Sequence, residues 1–349
     1  MNRPYKTVDN VFDTLNEFDS NNIVAFMFSS VLHFHKNNSF MKKMRLLFKL
    51  SCLLFAILAD GVKIVPGVRS SRHWKNWIYS SEAHHWHTLW CQWKPSGEPI
   101  QPATYMERIF APTPTGSVQR NVYHFKDARG TVSDGYMCGP WYMHKDMSTD
   151  EGIVHPFSAT HTTLLLPGGS CAWTNKTIAR GTPLRCESFI HRRSSPHLRV
   201  SASVVYSENG ELEGVMLFRE DDRSPWPSAE WSADCNARLT STQELSSILS
   251  PYNDITGRSD EIDAELDTST KQGLTFSDCR PSRVSNDDVV LVCADKTIVI
   301  VAPRKIPQSS FSVCCSWLGD GTFDALEVHW EYDENIHRLC SVRHLDYSS

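Results

Sequence analysis

The sequence predicts an all-β protein, built as an antiparallel barrel that is followed by a second, smaller barrel-like β-domain. From Trp86 onward, short alternating segments are broken by Gly, Pro and Asn, a pattern typical of strands joined by turns. Aromatic residues make up 11% of the chain, and large aromatic side chains favour strands around an apolar interior. The only helical patterns beyond residue 70 are short, so the strands must supply the core.

The N-terminal part of the chain is interpreted as a targeting region outside the fold. Residues 41–59 place a basic cluster before the apolar stretch Leu50 to Leu58 and end in Ala59, which is the layout of a secretory signal peptide. The apolar stretch is shorter than the roughly 20 residues of a membrane span, so we expect cleavage near Ala59 and no stable span in the mature chain. Residues 1–40 are interpreted as a mispredicted or disordered extension. The expected destination is the plastid through the endoplasmic reticulum, with secretion as the alternative.

The first predicted domain spans residues 72–220. Its opening segment Arg72–Ala83 has Trp74, Trp77 and Ile78 at helical spacing, which predicts a helix that closes one end of the barrel. Its last segment, Leu198–Glu220, alternates apolar and polar residues on both sides of Asn209-Gly210. This pattern predicts a hairpin with a type I′ turn.

Residues 221–273 are interpreted as a polar linker, and residues 274–349 as the second β-domain. The linker contains one predicted helix, Ser241–Leu249 after the capping residue Thr240, and an acidic run at 260–265 that is expected to be solvated. In the second domain, Val289–Ala294 and Thr297–Ala302 are predicted to pair as strands buried on both faces, because their apolar runs are continuous. Three further strands are predicted near 311–318, 326–332 and 339–345.

Charge and motifs argue against several classes of function. The formal net charge is -5, which disfavours nucleic-acid binding through a basic face. Dinucleotide-binding and Walker loops are absent, and Gly168-Gly169-Ser170 does not form a nucleophile elbow, so we predict no cofactor and no catalytic residue. His84, His85 and His87 cluster without a carboxylate or Cys at matching spacing, and we predict no metal site there.

The cysteines and the sequon Asn175-Lys176-Thr177 do not indicate a metal or catalytic site. The 11 cysteines include no C-x-x-C pair, and dispersed cysteines in barrels are usually buried hydrophobic residues, so we favour mostly free thiols. Asn175-Lys176-Thr177 is a possible glycosylation site if the chain enters the secretory pathway.

A barrel interior must be filled by side chains or by a ligand. We expect an entrance tryptophan, Trp86 or Trp90, to stack beneath Arg219 of the last strand and so to plug one end by a cation–π contact. The open end would be lined by aromatic residues of the middle strands, which are our candidate ligand contacts. These candidates are Tyr105, Tyr123, Tyr136, Trp141 and Phe157.

Two groups of residues in the first domain form a recognisable pattern: the spaced Trp86, Trp90, Pro95 and Gly97, and Arg192-Arg193 ahead of the final strand. By this pattern the chain resembles the calycin-like domain-of-unknown-function 3598 family of cyanobacteria and plastid-bearing eukaryotes. This sequence departs from the family pattern at Thr88, where a Gly is usual. The resemblance implies lipocalin-like barrels without an established activity, related at the superfamily level to lipocalins, fatty-acid-binding proteins and bilin lyases.

Three functional hypotheses follow. The first is a binding module that holds a small hydrophobic molecule, such as a pigment, a bilin or a lipid, in the barrel. The alternatives are a lyase-like or other enzyme that acts on a pigment or lipid, and a non-catalytic interaction protein whose protein partners are unknown. Glu187 and Glu220 would be the acid–base candidates of an enzyme, although Glu187 could instead pair with Arg192 or Arg193. The sequence shows no convergent polar set inside an apolar cup, and this favours binding over catalysis.

Overall fold

A computed structural model describes residues 68–81, 84–101, 103–126, 132–158, 160–223, 236–265, 267–319 and 321–348. These residues belong to one compact unit, Pro66–Ser349. The predicted extension (residues 1–40) and the predicted signal peptide (residues 41–59), including its expected cleavage position near Ala59, lie outside the described residues. Among the described residues, the helices are too short and too polar to cross a membrane.

Two helices and twenty strands form the described fold. In chain order they are α1 (Val68–Ser81), β1 (His85–Trp93), β2 (Thr104–Thr113), β3 (Gly116–Lys126), β4 (Val132–His144), β5 (Ser148–Thr149), β6 (Gly152–Val154), β7 (His161–Leu165), β8 (Cys171–Asn175), β9 (Thr177–Ala179), β10 (Leu184–His191), β11 (Leu198–Tyr206), β12 (Leu212–Asp221), β13 (Ala237–Leu239), α2 (Thr242–Leu249), β14 (Gly257–Ile262), β15 (Thr268–Leu274), β16 (Asp288–Cys293), β17 (Ile298–Pro303), β18 (Phe311–Gly319), β19 (Thr322–Asp333) and β20 (Ile336–Ser348).

The first sheet, sheet A, is a nearly closed antiparallel barrel, which confirms the predicted fold class. Its strand order is β4-β3-β2-β1-β12-β11-β10-β8-β7-β6-β5. The two edge strands, β4 and β5, follow each other in the chain and are separated only by the 3-10 helix Lys145–Met147. This short connection brings the two edges of the sheet together, and His155 Nε2 lies 3.0 Å from Gln119 Oε1 between the two sides.

The second sheet, sheet B, contains β13 to β20 in the order β13-β16-β17-β18-β19-β20-β14-β15, with β9 paired to β20. Its hairpin β16–β17 confirms the predicted pair of doubly buried strands. Val289, Leu291 and Ile300 pack in one cluster, whereas Val290 and Val299 pack in another on the opposite face. The continuous apolar runs are therefore explained by burial on both faces.

One hydrophobic cluster joins the two sheets. It contains Leu89 and Leu217 from sheet A together with Leu291, Trp317 and Trp330 from sheet B. Alternate residues of β1 and β12 point into this shared layer, so sheet A is covered on that side by sheet B and not by solvent.

Two local expectations are corrected. The β11–β12 hairpin is present, but of its two predicted turn residues only Gly210 has a positive φ, so the turn is not type I′. The Gly210 N–H donates to the Ser207 carbonyl, and this places a left-handed Gly at the end of a longer turn. Residues 257–262 and 268–273, assigned to the polar linker, belong to strands β14 and β15 of sheet B.

The acidic run shows why the linker interpretation was wrong. Asp260 is buried and accepts hydrogen bonds from Arg193 Nη2 and Arg258 Nη2, both at 2.7 Å. The expected solvated surface is therefore, at this residue, a buried ionic contact between the sheets. The predicted helix is confirmed as α2, with Ser241 and not Thr240 as its capping residue.

The thiol prediction is confirmed for most of the described cysteines. Eight are free thiols, and seven of these are buried, whereas Cys91 on β1 is disulfide-bonded. The Asn175 side chain is buried in β8, with a relative exposure of 6%, so the folded chain does not present it to a glycosylating enzyme.

Candidate functional site: the barrel interior

Strand alternation gives sheet A an inner and an outer face. On β12, Met216 and Phe218 pack inside the barrel, while Val215 and Leu217 belong to the layer shared with sheet B. Glu220 continues the inner row. The interior described below is built from the residues that share this inner face.

A buried ionic network crosses the middle of the interior. Arg108 on β2 lies 3.0 Å from Glu187 on β10 and 3.0 Å from Glu220 on β12. Arg199 on β11 forms a second ion pair with Glu220. All four side chains are buried. Two cations and two anions therefore balance each other out of contact with water, as buried charges require.

Aromatic rings cover the two arginines. The Arg108 guanidinium carbon lies 4.7 Å from the centre of the Phe218 ring and 5.3 Å from that of Phe189, and the Arg199 guanidinium carbon lies 4.4 Å from the Trp86 ring. Burial alone would raise the pKa of Glu220, but the charges of Arg199 and Arg108 outweigh burial and hold the pKa below its ordinary value. An ionised and doubly paired carboxylate is a poor general acid, so this network holds the interior together and does not by itself supply acid–base chemistry.

Helix α1 lies against the end of the barrel that contains Trp86. Trp74 and Trp77 of the helix pack in one buried cluster with Trp86, Phe110 and Met143 of the strands. The Trp77 and Phe110 rings meet edge to face at 5.7 Å. The helix predicted to close one end is thus present, and we call this end the closed end.

The opposite half of the interior is aromatic. Tyr123 and Tyr136 face each other across β3 and β4 with ring centres 6.3 Å apart, and Trp90 lies 5.6 Å from Tyr123. Trp141 lies 5.8 Å from Phe157. These five side chains are only partly buried, so we call this half the open end.

A β-bulge brings Trp141 into this group. Cys138 pairs with Asn121 and Trp141 pairs with Gln119, so β4 has one extra residue between these two positions. The extra residue puts Cys138 and Trp141 on the same face although they are three positions apart. Gly139 has a φ of +94°, and a side chain there would meet the Gln119 carbonyl at 2.8 Å, so the bulge requires glycine.

Arg185 adds a positive charge to the open end. Its guanidinium carbon lies 5.4 Å from the centre of the Trp173 ring, and its Nε donates to Ser203 Oγ at 3.4 Å. Among the described residues, no carboxylate forms an ion pair with it. The indole N–H groups of Trp90 and Trp173 are also buried and have no hydrogen-bond partner in the described part of the chain.

The titratable groups of the open end are held neutral. Burial raises the pKa of Tyr123 to about 12. Burial, together with the charge of Arg108, lowers the pKa of His155 to about 3. Burial, together with the charge of Arg185, lowers the pKa of His161 to about 4. At neutral pH, Arg185 therefore acts as a cation among uncharged rings.

The structure places four of the five candidate ligand contacts in the barrel interior, as the contacting pairs Tyr123–Tyr136 and Trp141–Phe157, and places the fifth outside it. Tyr105 lies on the outer face of β2, where its hydroxyl is 2.7 Å from His87 Nδ1 and its ring stacks on His124. Even and odd positions of a strand point to opposite faces, and Tyr105 is one position away from the inward Met106.

The predicted stack of Arg219 on an entrance tryptophan is also corrected. Arg219 pairs across the sheet with Leu89, so it shares the outer face with Leu89 and not the inner face of Trp86 and Trp90. It forms a 2.7 Å ion pair with Asp295 of sheet B. The cation over Trp86 is Arg199. Glu187 likewise pairs with Arg108, whereas Arg192 and Arg193 pair with Asp324 and Asp260 of sheet B.

The sequence analysis missed Arg108, Arg185 and Arg199. Each stands at an inward position of its strand, and on β10 and β11 the outward positions beside Arg185 and Arg199 are mostly apolar. A charged residue inside an alternating apolar strand was therefore a signal available in the sequence for these two arginines, whereas β2 around Arg108 has polar residues on both faces. What the pattern could not show is that these arginines from β2, β10 and β11 converge. The interior therefore does contain the convergent polar set that the sequence did not reveal.

Comparisons with known proteins bear on the fold and not on the chemistry. Residues 70–224 match a family model described as Domain of unknown function (DUF3598), N-terminal. The chain is similar to a crystal structure of a protein with unknown function from the DUF3598 family of Nostoc punctiforme, with a TM-score of 0.53 and 12% identity over 79% of this chain and 98% of that chain.

A candidate AttH from Nitrosomonas europaea matches with a TM-score of 0.19 and 7% identity over 76% of this chain and 92% of that chain, and this match carries no argument. No curated protein matches the sequence.

Proposed function

We propose that the barrel of this chain, whose residues 70–224 belong to the DUF3598 N-terminal family, binds a small hydrophobic molecule that carries an acidic group. The molecule would be a pigment, a bilin or a lipid. The observation that carries the proposal is Arg185, a cation that faces the aromatic open end without a carboxylate partner among the described residues. A buried or half-buried cation favours an anionic partner.

The aromatic residues supply the apolar part of this site. Trp90, Tyr123, Tyr136, Trp141 and Phe157 present ring faces and edges on the inner side of one end of the barrel. Ligand sites are mostly apolar surfaces with a few placed polar groups, and the open end has this composition. The ligand body would pack on these rings, and its carboxylate would pair with the Arg185 guanidinium.

The ionic network below the open end would act as the floor of the site. The charges of Arg108, Arg199, Glu187 and Glu220 are already paired with one another, so the network presents no net charge to a ligand. This balance favours binding over the lyase-like alternative, because the charges of Arg199 and Arg108 hold the pKa of Glu220 below its ordinary value, so this carboxylate does not donate a proton near neutral pH.

The proposal is tested by titrating the purified chain with palmitate, biliverdin and β-carotene, following tryptophan fluorescence and pigment absorbance. We expect saturable binding of a carboxylate-bearing probe. Arg185→Gln should weaken palmitate binding roughly 10- to 100-fold, the worth of a hydrogen bond to a charged group, and should leave binding of uncharged methyl palmitate nearly unchanged. Trp141→Ala should weaken the binding of both.

Arg238→Gln is the matched control, since it removes an exposed arginine of sheet B that pairs with Glu244. It should leave both affinities unchanged. The proposal fails if no probe binds saturably to the folded chain, or if Arg185→Gln weakens palmitate and its methyl ester equally.

A further inference from the structure

A second site lies on the outer face of sheet A, away from the aromatic interior. His85 and His87 of β1, Glu107 of β2 and His124 of β3 meet there because the strand register places them side by side. His87 pairs directly with Glu107, and His124 pairs with Tyr105, the neighbour of Glu107 on the same face. Residues that lie opposite or diagonal on one face of a sheet are within side-chain contact.

The distances within this group suit a metal ion. His85 Nε2 lies 2.8 Å and His87 Nδ1 lies 3.6 Å from the same oxygen, Glu107 Oε1. One ligand atom from each of these three residues lies within 4.8 Å of the other two. Two ligand atoms on a tetrahedral Zn²⁺, with bonds of about 2.0–2.1 Å, are about 3.3 Å apart, and the two observed separations lie on either side of this value.

The surrounding side chains hold the three groups in place. His124 Nε2 lies 2.6 Å from Glu107 Oε2, so it binds the second oxygen of the carboxylate and leaves Oε1 directed toward His85 and His87. The His85 and His87 rings stack with centres 4.4 Å apart. A partner of this kind, which orients a ligand without touching the metal, is a regular feature of metal sites.

We propose that His85, His87 and Glu107 bind a divalent transition metal ion, with Zn²⁺ as the best fit, and that His124 orients the Glu107 carboxylate. This proposal departs from the sequence prediction of no metal at these histidines, because the carboxylate comes from the neighbouring strand and not from a nearby position in the sequence. Two imidazoles and one carboxylate are a ligand set that Zn²⁺ accepts, with a fourth position left to water on the exposed side of the sheet. His87 Nδ1, which is 2.7 Å from the Tyr105 hydroxyl, would exchange this hydrogen bond for the metal.

The chain offers a competing cluster that serves as an internal control. His329, Glu331 and Cys340 on sheet B also bring three ligand atoms within 4.8 Å of one another. Its His329 Nδ1 is 2.9 Å from Ser312 Oγ, and its Glu331 side chain is exposed. It differs chemically from the first cluster because it includes the thiol of Cys340. Co²⁺ bound to a thiolate has a charge-transfer absorption that a histidine–carboxylate site lacks, so the absorption spectrum distinguishes the two clusters.

The experiment uses the full chain without a polyhistidine tag, stripped of metal and titrated with Zn²⁺ against a chromogenic chelator, and separately with Co²⁺. We expect one equivalent to bind, with no thiolate band. His124→Phe should lower the affinity roughly 10- to 100-fold, the usual effect of losing an orienting partner. His85→Gln and Glu107→Gln should lower it further, while His329→Gln and Cys340→Ser should leave it unchanged.

Circular dichroism of each variant checks folding. Should Glu107→Gln fail to fold, His85→Gln decides the matter, because His85 is an exposed residue. The proposal is overturned if Zn²⁺ does not bind at one equivalent, if His85→Gln keeps the affinity, or if Cys340→Ser abolishes binding.

Discussion

At the scale of single residues, the charged side chains of the barrel interior fall into two groups: four that form ion pairs with one another, and one that has no acidic partner among the described residues. Arg108, Arg199, Glu187 and Glu220 satisfy one another, whereas Arg185 lies over Trp173 without an acidic partner among the described residues. The neighbouring His155 and His161 are kept uncharged by burial. The open end therefore carries a net positive charge among neutral groups.

The depressed histidine pKa values predict a loss of stability in weak acid. An unfolded histidine has a pKa of about 6.5, while folded His155 has one of about 3, so only the unfolded state takes up the proton as the pH falls below 6.5. The contribution of His155 is fully present above pH 6.5, and about 2 kcal/mol of it is lost between pH 7 and pH 5.

Urea unfolding at pH 7 and pH 5 measures this loss. His155→Gln should lose about 2 kcal/mol less than the wild type between the two pH values. The surface variant His144→Gln should behave like the wild type. An equal loss in His155→Gln and wild type would show that His155 is not the group responsible.

At the scale of elements, the segment between β10 and β11 fastens the barrel to sheet B. Arg192 Nε donates to Asp324 Oδ2 at 2.6 Å, Arg192 Nη2 donates to the Trp317 carbonyl at 2.8 Å, and the guanidinium carbon lies 3.8 Å from the Trp317 ring centre. Arg193 pairs with Asp260 in the same sheet. The double arginine that carried part of the family resemblance thus has a structural role here.

Arg192→Leu should destabilise the protein strongly. It leaves the buried Asp324 carboxylate without its main partner, and the loss of one member of a buried ion pair costs about 3–5 kcal/mol. Chemical denaturation measures the change in unfolding free energy. The control is Arg238→Leu, which removes an exposed arginine of sheet B that pairs with Glu244 and should change this free energy little. A similar small change in both variants would contradict the proposed fastening.

At the scale of the whole molecule, the two sheets share one hydrophobic layer. Leu89 and Leu217 of the barrel belong to the same cluster as Leu291 and Trp330 of sheet B. Neither sheet can lose the other without exposing this layer to water, so we expect the two sheets to unfold together.

This expectation is tested with Leu291→Ala, a change in sheet B. It should lower the unfolding free energy by about 2–5 kcal/mol and should lower it equally for both sheets. Amide hydrogen exchange should therefore lose protection in β11 of the barrel as much as in β16 of sheet B. If protection fell in β16 alone, the sheets would be independent domains, as the tandem arrangement predicted from the sequence implies.

The sequence by itself determined the local features, because alternation, turn residues and apolar runs are properties of neighbouring residues. It correctly placed α1, the β11–β12 and β16–β17 hairpins and the all-β class. It also put Tyr123, Tyr136, Trp141 and Phe157 in the barrel interior, and their role as ligand contacts stays a prediction. It failed where a partner lies on a distant strand or where one position of register decides the face. Tyr105 and Arg219 each proved to lie on the outer face.

Only the tertiary structure decided which charges meet. Arg108 is 79 residues from Glu187, and His85 is 22 residues from Glu107. The cross-strand register that joins these pairs depends on the order of the strands in the sheet, which no local pattern encodes. For the same reason, the sequence predicted a solvated linker for the acidic run, because no local pattern shows that Arg193, which follows β10 of the barrel, meets Asp260 of sheet B.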